Sequence, residues 1–156
     1  MKIYLAADHA GFKLKEKVRE LLIKEGHGIT DFGATELNEE DDYPDFIWRA
    51  ADNISQDYNH GDTESRAIII GGSGQGEAMT ANRFSNVRAA VYYGGPQENL
   101  KFSRIDNDAN VLAIGARFVK DEEAMAAIEL WLKTPFSNEE RHKRRIAKIE
   151  DYSAGK

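Results

Sequence analysis

A glycine-rich segment that carries one carboxylate is the clearest candidate for chemistry in this sequence. The apolar run at 68–70 leads into Gly72, Gly74 and Gly76, and a helix-forming segment follows. This pattern predicts a buried parallel strand, a tight turn and a helix start. Glycines let the backbone approach a ligand closely, and free N–H groups at a helix start favour an anion or a developing oxyanion. Glu77 stands at the mouth of the turn, either as an ordinary first-turn glutamate or as a base directed at a bound molecule.

Other polar side chains follow or precede predicted strands. Asp8 and His9 follow the first strand and suit hydrogen bonding to a polyol, although Asp8 could instead be a loop aspartate that caps the next helix. Arg117 follows the fifth strand, and the hydroxyl of Tyr43, after the second strand, could reach the same pocket. Ligands of parallel α/β sheets bind beyond the carboxyl ends of the strands. The polar segment 103–110 precedes the fifth strand, and both capping and ligand roles are open for it.

A strongly basic segment near the C-terminus is a candidate phosphate site. Arg141 and Arg145 are four residues apart, so they share one face of a helix predicted over about 137–150. Two guanidinium groups form a good clamp for a phosphate dianion. The alternative is a solvated basic helix end on an otherwise acidic protein. Because this helix has little apolar surface, it could dock on a second subunit rather than on its own body.

The elements that must position these residues alternate regularly along the chain. Strands are predicted over 2–7, 29–32, 68–70, 87–92 and 110–114, and helices over 12–25, 44–54, 97–105, 122–132 and 137–150, with another from the glycine turn to about Phe84. This alternation indicates an α/β fold, with three αβα layers around a five-stranded parallel sheet of the flavodoxin or Rossmann type. We predict strand order 2-1-3-4-5. That order places a switch point between strands 1 and 3, whose carboxyl ends carry Asp8, His9 and the glycine turn.

Composition excludes several classes of protein. The 156 residues suit one domain, 1–156. The net charge of −6 argues against nucleic-acid binding, and no apolar run approaches the ~20 residues of a membrane-spanning helix. There is no cysteine, which excludes disulfides, thiolate metal sites and a cysteine nucleophile. The four histidines are scattered, so no metal site is predicted, and a cytoplasmic location is expected because no signal peptide is visible.

Six motifs, taken in order, resemble those of one family. They are Asp8-His9-Ala10-Gly11, Asp42-Tyr43-Pro44, Gly72-Ser73-Gly74-x-Gly76-Glu77, Ala81-Asn82-Arg83, Asn107-Asp108-x-Asn110-Val111-Leu112 and Arg141-His142-x-Arg144-Arg145. As a set they are similar to the type B ribose-5-phosphate isomerases and their relatives, the RpiB/LacA/LacB sugar-phosphate isomerases. The resemblance implies aldose–ketose isomerisation, in the first place of ribose 5-phosphate to ribulose 5-phosphate. It also implies no metal or other cofactor, and a homodimer, which could pair into a tetramer, with active sites at the subunit interface.

The resemblance also implies roles for single residues. Family members take their base either from a cysteine at the position of Gly71 or from a glutamate at the position of Glu77, and this chain has no cysteine. Glu77 would move a proton between C1 and C2 through a cis-enediolate, while N–H groups near Ser73 and Gly74 hold the oxyanion. Asp8 would bind sugar hydroxyls. The other implied substrate-binding residues are His9, Arg117, Arg141 and Arg145 for phosphate, some from the neighbouring subunit, and Gly72, Gly76, Tyr43 and Asn107 around the pocket.

One departure from the family pattern concerns the group that opens the sugar ring. Typical members have a histidine, thought to be a general acid, immediately before the asparagine that matches Asn107, whereas this chain has Asp106. A free aspartate has a pKa of ~3.9, so it is a poor acid at neutral pH unless that pKa is strongly raised. Three alternatives stay open. His9 or His142 opens the ring; the substrate is open-chain or cannot cyclise, as with a tetrose 4-phosphate; or the subunit is a catalytically weak partner in a hetero-oligomer.

Two further alternatives concern the substrate and the function class. Allose or galactose 6-phosphate would suit the same chemistry, because the length of the pocket cannot be read from the sequence. A non-catalytic phosphate- or nucleotide-binding module could use the same fold. Against a nucleotide binder, Gly33 and Ala34 offer no acidic ribose anchor and there is no Walker lysine. In addition, Glu77 stands where the dinucleotide fingerprint requires its third glycine.

Overall fold

Alternating strands and helices make up residues 1–153, the part of the chain that the computed structural model describes. The strands are β1 (Lys2–Ala7), β2 (Gly28–Asp31), β3 (Arg66–Gly71), β4 (Ala89–Tyr92) and β5 (Val111–Gly115). The helices are α1 (Phe12–Lys24), α2 (Pro44–Asn59), α3 (Gln75–Ala81), α4 (Gln97–Ile105), α5 (Asp121–Lys133) and α6 (Glu140–Ser153). Every predicted element is present, most of them within three residues of the predicted bounds. The last three residues of the predicted domain lie outside the described part.

The five strands form one parallel sheet, and its order corrects the prediction. The order is β2-β1-β3-β5-β4, not 2-1-3-4-5. Val111 of β5 pairs with Ala67 of β3 on one side and with Ala89 of β4 on the other. Burial explains this order. Every residue of β5 is buried, which suits an interior strand, whereas most residues of β4 are half-buried, which suits an edge strand. The predicted neighbours β1 and β3 are adjacent, so the switch point lies where the prediction places it.

Two apolar cores cover the two faces of the sheet. Successive residues of a strand point to opposite faces, and the central strand follows this rule. Ile68 and Ile70 belong to the core beneath α1, α4 and α5, whereas Ile69 belongs to the core beneath α2 and α3. The three-layer αβα fold is therefore confirmed. Among residues 1–153 there is no helix with the length and apolar character needed to cross a membrane.

Helix α3 ends at Ala81 rather than at about Phe84. The side chain of Asn82 explains the early end, because it exchanges two hydrogen bonds with the backbone of Ala89. Its amide donates to the Ala89 carbonyl at 3.1 Å, and its oxygen accepts the Ala89 N–H at 2.8 Å. These bonds tie the end of α3 to the start of β4, so the helix cannot continue along its axis.

The direction of the chain defines two edges of the sheet. The strands end at what we call the carboxyl edge, where β1, β3 and β5 close with Ala7, Gly71 and Gly115. Helix α4 runs back from that edge, so its cap Asp106 and the loop to Val111 lie at the opposite, amino edge. Because β5 has five residues, the two edges are about 15 Å apart.

Helix α6 is attached to the amino edge of its own subunit at both ends. Before it begins, the Ser137 N–H donates to the carbonyl of Ile105 at 3.1 Å. Near its end, Glu150 accepts the N–H of Asn86 at 2.8 Å. The helix thus does contact its own body. Additional packing of α6 on a second subunit stays a prediction, since one chain is described.

Candidate active site

The loop after β1 and the glycine turn after β3 meet at the carboxyl edge. Gly11 packs so tightly on the end of β3 that a Cβ there would lie 2.3 Å from the carbonyl oxygen of Ile70. The absence of a side chain at residue 11 therefore permits the contact. The contact brings Asp8 close enough to Glu77 for the two charges to interact. The predicted switch point thus holds two carboxylates.

Glu77 is buried in the first turn of α3, and its carboxylate occupies the space above Gly71. A Cβ on Gly71 would lie 1.8 Å from Oε1 of Glu77, so the carboxylate fills the volume that a side chain there would take. Glu77 is only 4% exposed. Gly74 has a φ of 76° and so makes the left-handed turn that starts the helix. The turn folds the glutamate back beneath the loop rather than out into solvent.

Burial raises the pKa of Glu77 above its ordinary value. The backbone N–H of Glu77 opposes this shift of the pKa, the negative charge of Asp8 adds to it, and the N–H of Gly74 opposes it. A carboxylate with a raised pKa is what a general base near neutral pH requires. A glutamate that only interacts favourably with the helix dipole can stay exposed in the first turn. The burial of Glu77 therefore favours its role as a base.

Two side chains use the space left by the glycines of the turn. The ring of Tyr43 lies against Gly76, where a Cβ would come within 2.7 Å of Cζ. The guanidinium of Arg117 lies against Gly72, where a Cβ would come within 3.1 Å of Cζ. The backbone also joins these loops, since the Arg117 N–H donates to the Gly72 carbonyl at 3.1 Å. Tyr43 and Arg117 therefore border the turn that carries the buried carboxylate.

Asp8 enters the site from the loop after β1, and its two carboxylate oxygens have different surroundings. Its Oδ1 accepts the N–H groups of Ala10 at 3.0 Å and Gly11 at 3.2 Å, so it orders the turn before α1 but does not cap the helix itself. Its Oδ2 lies 3.9 Å from Nδ1 of His9. One oxygen thus organises the loop, and the other lies near His9; the binding of a sugar hydroxyl by Asp8 stays a prediction.

Asp41 is a site residue that was not predicted, because it lies in an acidic segment whose composition is typical of a loop. Its Oδ1 lies 2.6 Å from Nδ1 of His9. The available signal was its position directly before the Asp42-Tyr43-Pro44 motif. Possible ligand atoms of Asp8, His9 and Asp41 lie within 4.8 Å of one another, a spacing that a cation could bridge. Within the described residues, His9 and Asp41 are engaged with each other, and the absence of a metal stays a prediction.

The remaining predicted residues lie at the amino edge. Asp106 caps α4 there, with Oδ1 3.7 Å from Nδ1 of His142. His142 is buried at the start of α6, and its Nδ1 also lies 2.9 Å from Oγ of Ser137. The position that carries a histidine in typical family members thus has an aspartate with a different histidine beside it.

The predicted site residues therefore divide into two groups on opposite edges of one subunit. The carboxyl edge holds Asp8, His9, Tyr43, Gly72, Ser73, Gly74, Gly76, Glu77 and Arg117. The amino edge holds Asp106 and Asn107, with Arg141 and Arg145 exposed on α6. About 15 Å of sheet separates the two groups, so a single subunit does not bring them together.

The sequence profile of one family, described as Ribose/Galactose Isomerase, matches residues 3–149 of this chain. The chain belongs to the ribose/galactose isomerase family. The match covers all of the sheet except Lys2, the first residue of β1, and includes both groups of candidate residues. The resemblance inferred from the six motifs is thereby confirmed.

Relatives within the ribose/galactose isomerase family match over nearly the whole chain. Ribose-5-phosphate isomerase B of Mycobacterium tuberculosis is 36% identical over 152 residues, which is 97% of this chain and 90% of the relative. A structure of ribose-5-phosphate isomerase B from Mycoplasma genitalium with bound ribulose-5-phosphate has a TM-score of 0.91 at 34% identity, covering 99% of this chain and 97% of that one. The enzyme from Clostridium thermocellum has a TM-score of 0.89 at 36% identity, covering 99% of each chain.

Proposed function

We propose that this protein is an aldose–ketose isomerase that interconverts ribose 5-phosphate and ribulose 5-phosphate, without a metal or other cofactor. The observation that carries the proposal is the carboxylate of Glu77, buried over Gly71 beside Asp8 at the switch point. Family membership supports it, because relatives along nearly the whole chain are named ribose-5-phosphate isomerase B. A pure binding module would have no use for a buried base in its glycine turn.

In the proposed mechanism, Glu77 removes the proton from C2 of the open-chain aldose and returns it to C1. The proton of the C2 hydroxyl passes to O1, so the aldehyde becomes an alcohol and C2 becomes the carbonyl carbon. Backbone N–H groups near Ser73 and Gly74 stabilise the cis-enediolate between these steps. Asp8 binds a sugar hydroxyl. The raised pKa of Glu77 suits it both to take and to return a proton near neutral pH.

Groups from two subunits bind the phosphate in this proposal. His9 and Arg117 lie at the carboxyl edge with the base, whereas Arg141 and Arg145 lie at the amino edge of the same chain. A homodimer in which the amino edge of one subunit faces the carboxyl edge of the other completes both sites. The pocket is then lined by Tyr43, Gly72 and Gly76 from one subunit and by Asn107 and Asp106 from its partner.

The edge strand β4 suits the interface of such a dimer. Its outer side is unpaired within residues 1–153, and exposed apolar side chains flank it, with Met79 64% exposed on α3 and Phe102 51% exposed on α4. A two-fold axis through this face and perpendicular to the strands reverses the strand direction in the partner. Such an axis sets the carboxyl edge of each subunit beside the amino edge of the other.

Mixed dimers test the division of the site between subunits. Glu77→Gln and the double variant Arg141→Ala/Arg145→Ala should each be strongly impaired alone, because each damages both sites of its homodimer. When the two variants are co-expressed, each mixed dimer has one intact site, so about a quarter of wild-type activity should return. The measurement is the turnover of the co-expressed protein compared with each variant expressed alone. The absence of any recovery would mean that all of the groups act within one subunit.

Asp106 favours a second candidate substrate class. An aspartate is a poor ring-opening acid at neutral pH, and a tetrose phosphate esterified at O4 cannot form a furanose, so it needs no such acid. The position of His142, 3.7 Å from Asp106, supports the first substrate instead, because a histidine at the same edge could open the ring. The two candidates share the base Glu77 and differ only in whether a ring must open.

Turnover of a panel of sugar phosphates, measured without added metal, tests the proposed function. The panel contains ribose 5-phosphate, allose and galactose 6-phosphates, and erythrose and erythrulose 4-phosphates. We expect efficient turnover of ribose 5-phosphate, which would mean that another group replaces the missing histidine. Turnover of the tetrose phosphates alone would assign the protein to substrates that do not cyclise. No turnover across the panel would favour the binding module or the partner subunit.

A further inference from the structure

His9 and Asp41 form a close pair that joins the loop after β1 to the loop before α2. Nδ1 of His9 lies 2.6 Å from Oδ1 of Asp41, and the same oxygen accepts the backbone N–H of His9 at 3.2 Å. The ring is therefore fixed through Nδ1, which leaves Nε2, on the other side of the ring, for a ligand. The side chain of His9 is 26% exposed and that of Asp41 only 8%, so the histidine is the member that reaches the open site.

Charges of both signs surround the imidazole of His9. Asp41 and Asp8 face it with negative charge, and Arg117 faces it with positive charge. The hydrogen bond from Asp41 raises the pKa of His9, burial opposes this rise, the charges of Asp8 and Asp41 add to it, and Arg117 opposes it. Because the pKa rises on balance, the protonated ring is favoured even with a guanidinium nearby. Two cations held near each other at one edge form a site for a dianion.

We propose that Asp41 is a positioning residue of the phosphate site, which holds the imidazole of His9 protonated and oriented so that Nε2–H donates to the substrate phosphate beside Arg117. The inference rests on the proposed function, since the anion is the phosphate group of a sugar phosphate. Asp41 acts only through His9 and does not contact the substrate.

The surroundings of Asp41 favour this positioning role over a purely structural role, in which its hydrogen bonds would only hold the two loops together. Its Oδ2 is buried and has no hydrogen-bond partner among residues 1–153. A buried carboxylate oxygen without a partner lowers stability, and a neutral asparagine could make the same bonds through its single carbonyl oxygen. The feature that asparagine lacks is the negative charge, and the charge is what keeps His9 protonated.

Two substitutions separate the charge of Asp41 from its hydrogen bond. In Asp41→Asn, the ring is still held but the pKa of His9 should fall toward its ordinary value of ~6.5. The affinity for inorganic phosphate should then fall at about pH 8, and stay close to that of the wild type at about pH 5.5, where the ring is protonated anyway. In Asp41→Ala, both the charge and the orientation are lost, so phosphate affinity should fall at both pH values.

The measurements are an NMR titration of the His9 ring, assigned by the loss of its signal in His9→Gln, and calorimetric binding of inorganic phosphate. The control is Asp42→Asn, which removes a neighbouring exposed carboxylate and should change neither quantity. An unchanged pKa of His9 in Asp41→Asn would overturn the proposal, and so would an equal loss of phosphate affinity at both pH values. Neither measurement depends on turnover, so a failure of the isomerase assignment would appear separately in the sugar-phosphate panel.

Discussion

Replacing Glu77 by glutamine should lower kcat for sugar-phosphate isomerisation by roughly 10²–10⁴-fold, because the amide keeps the shape of the side chain but cannot accept a proton. Affinity for inorganic phosphate should stay close to that of the wild type, since the cationic groups of the site are unchanged. Steady-state kinetics and phosphate binding on the same preparation measure the two quantities. The matched control is Glu20→Gln, which changes an exposed glutamate on α1 and should leave both unchanged. A variant Glu77→Gln that isomerises at the wild-type rate would remove Glu77 from the mechanism.

The pH profile of the wild-type enzyme gives an independent measure of the same residue. Burial raises the pKa of Glu77, and only the deprotonated carboxylate can act as the base. Activity should therefore fall as the pH drops through this raised pKa, and the acidic limb of kcat should lie above the ordinary glutamate value of ~4.3. An acidic limb at or below that value would mean that the base is a more exposed carboxylate than Glu77.

Replacing Gly71 by alanine should lower kcat by about 10²-fold, because a misplacement of a catalytic group by about 1 Å can have an effect of that size. A Cβ at residue 71 would lie 1.8 Å from Oε1 of Glu77, so the carboxylate must move out of its place. The backbone of residue 71 is an ordinary strand with no positive φ, so alanine itself introduces no backbone strain. The measurement is kcat, alongside a thermal melt that checks the fold.

Two controls show whether the effect of Gly71→Ala acts through Glu77. Gly28→Ala places a methyl group in another strand of the same sheet, where the nearest atom to the new Cβ is 3.9 Å away, and it should be nearly neutral. In a Glu77→Ala background the base is already gone, so Gly71→Ala should lower kcat little further. Full additivity of the two changes would show that the alanine damages the enzyme by some other route.

The switch point was predictable because it depends on a robust feature, the adjacency of β1 and β3. An apolar run that ends in glycines predicts a central strand, and the carboxyl ends of neighbouring strands meet at one edge. The positions of Asp8 and Glu77 after these two strands therefore predict their proximity, although no side-chain contact can be inferred from the sequence. The burial of Glu77 over Gly71 was not predictable, because it depends on the left-handed turn at Gly74.

Two other features were not accessible to sequence reasoning for physical reasons. β4 and β5 are both short and apolar, and right-handed crossovers allow either of them to pair with β3, so their order is decided by packing. The pair of His9 and Asp41 joins residues 32 positions apart, and loop residues of an acidic segment carry no periodic pattern that would predict such a contact. Both features depend on tertiary packing rather than on a local sequence pattern.

The overlap between Gly71 and Glu77 also constrains how such a site can change over generations. A side chain at residue 71 and the carboxylate of residue 77 require the same volume, so one chain cannot accommodate both in their active positions. The family that this chain resembles has members with a cysteine at the position of Gly71 and members with a glutamate at the position of Glu77. A lineage that passes from one to the other must lose the old base before or together with gaining the new one. The fitness effect of each substitution therefore depends on the order in which the two occur.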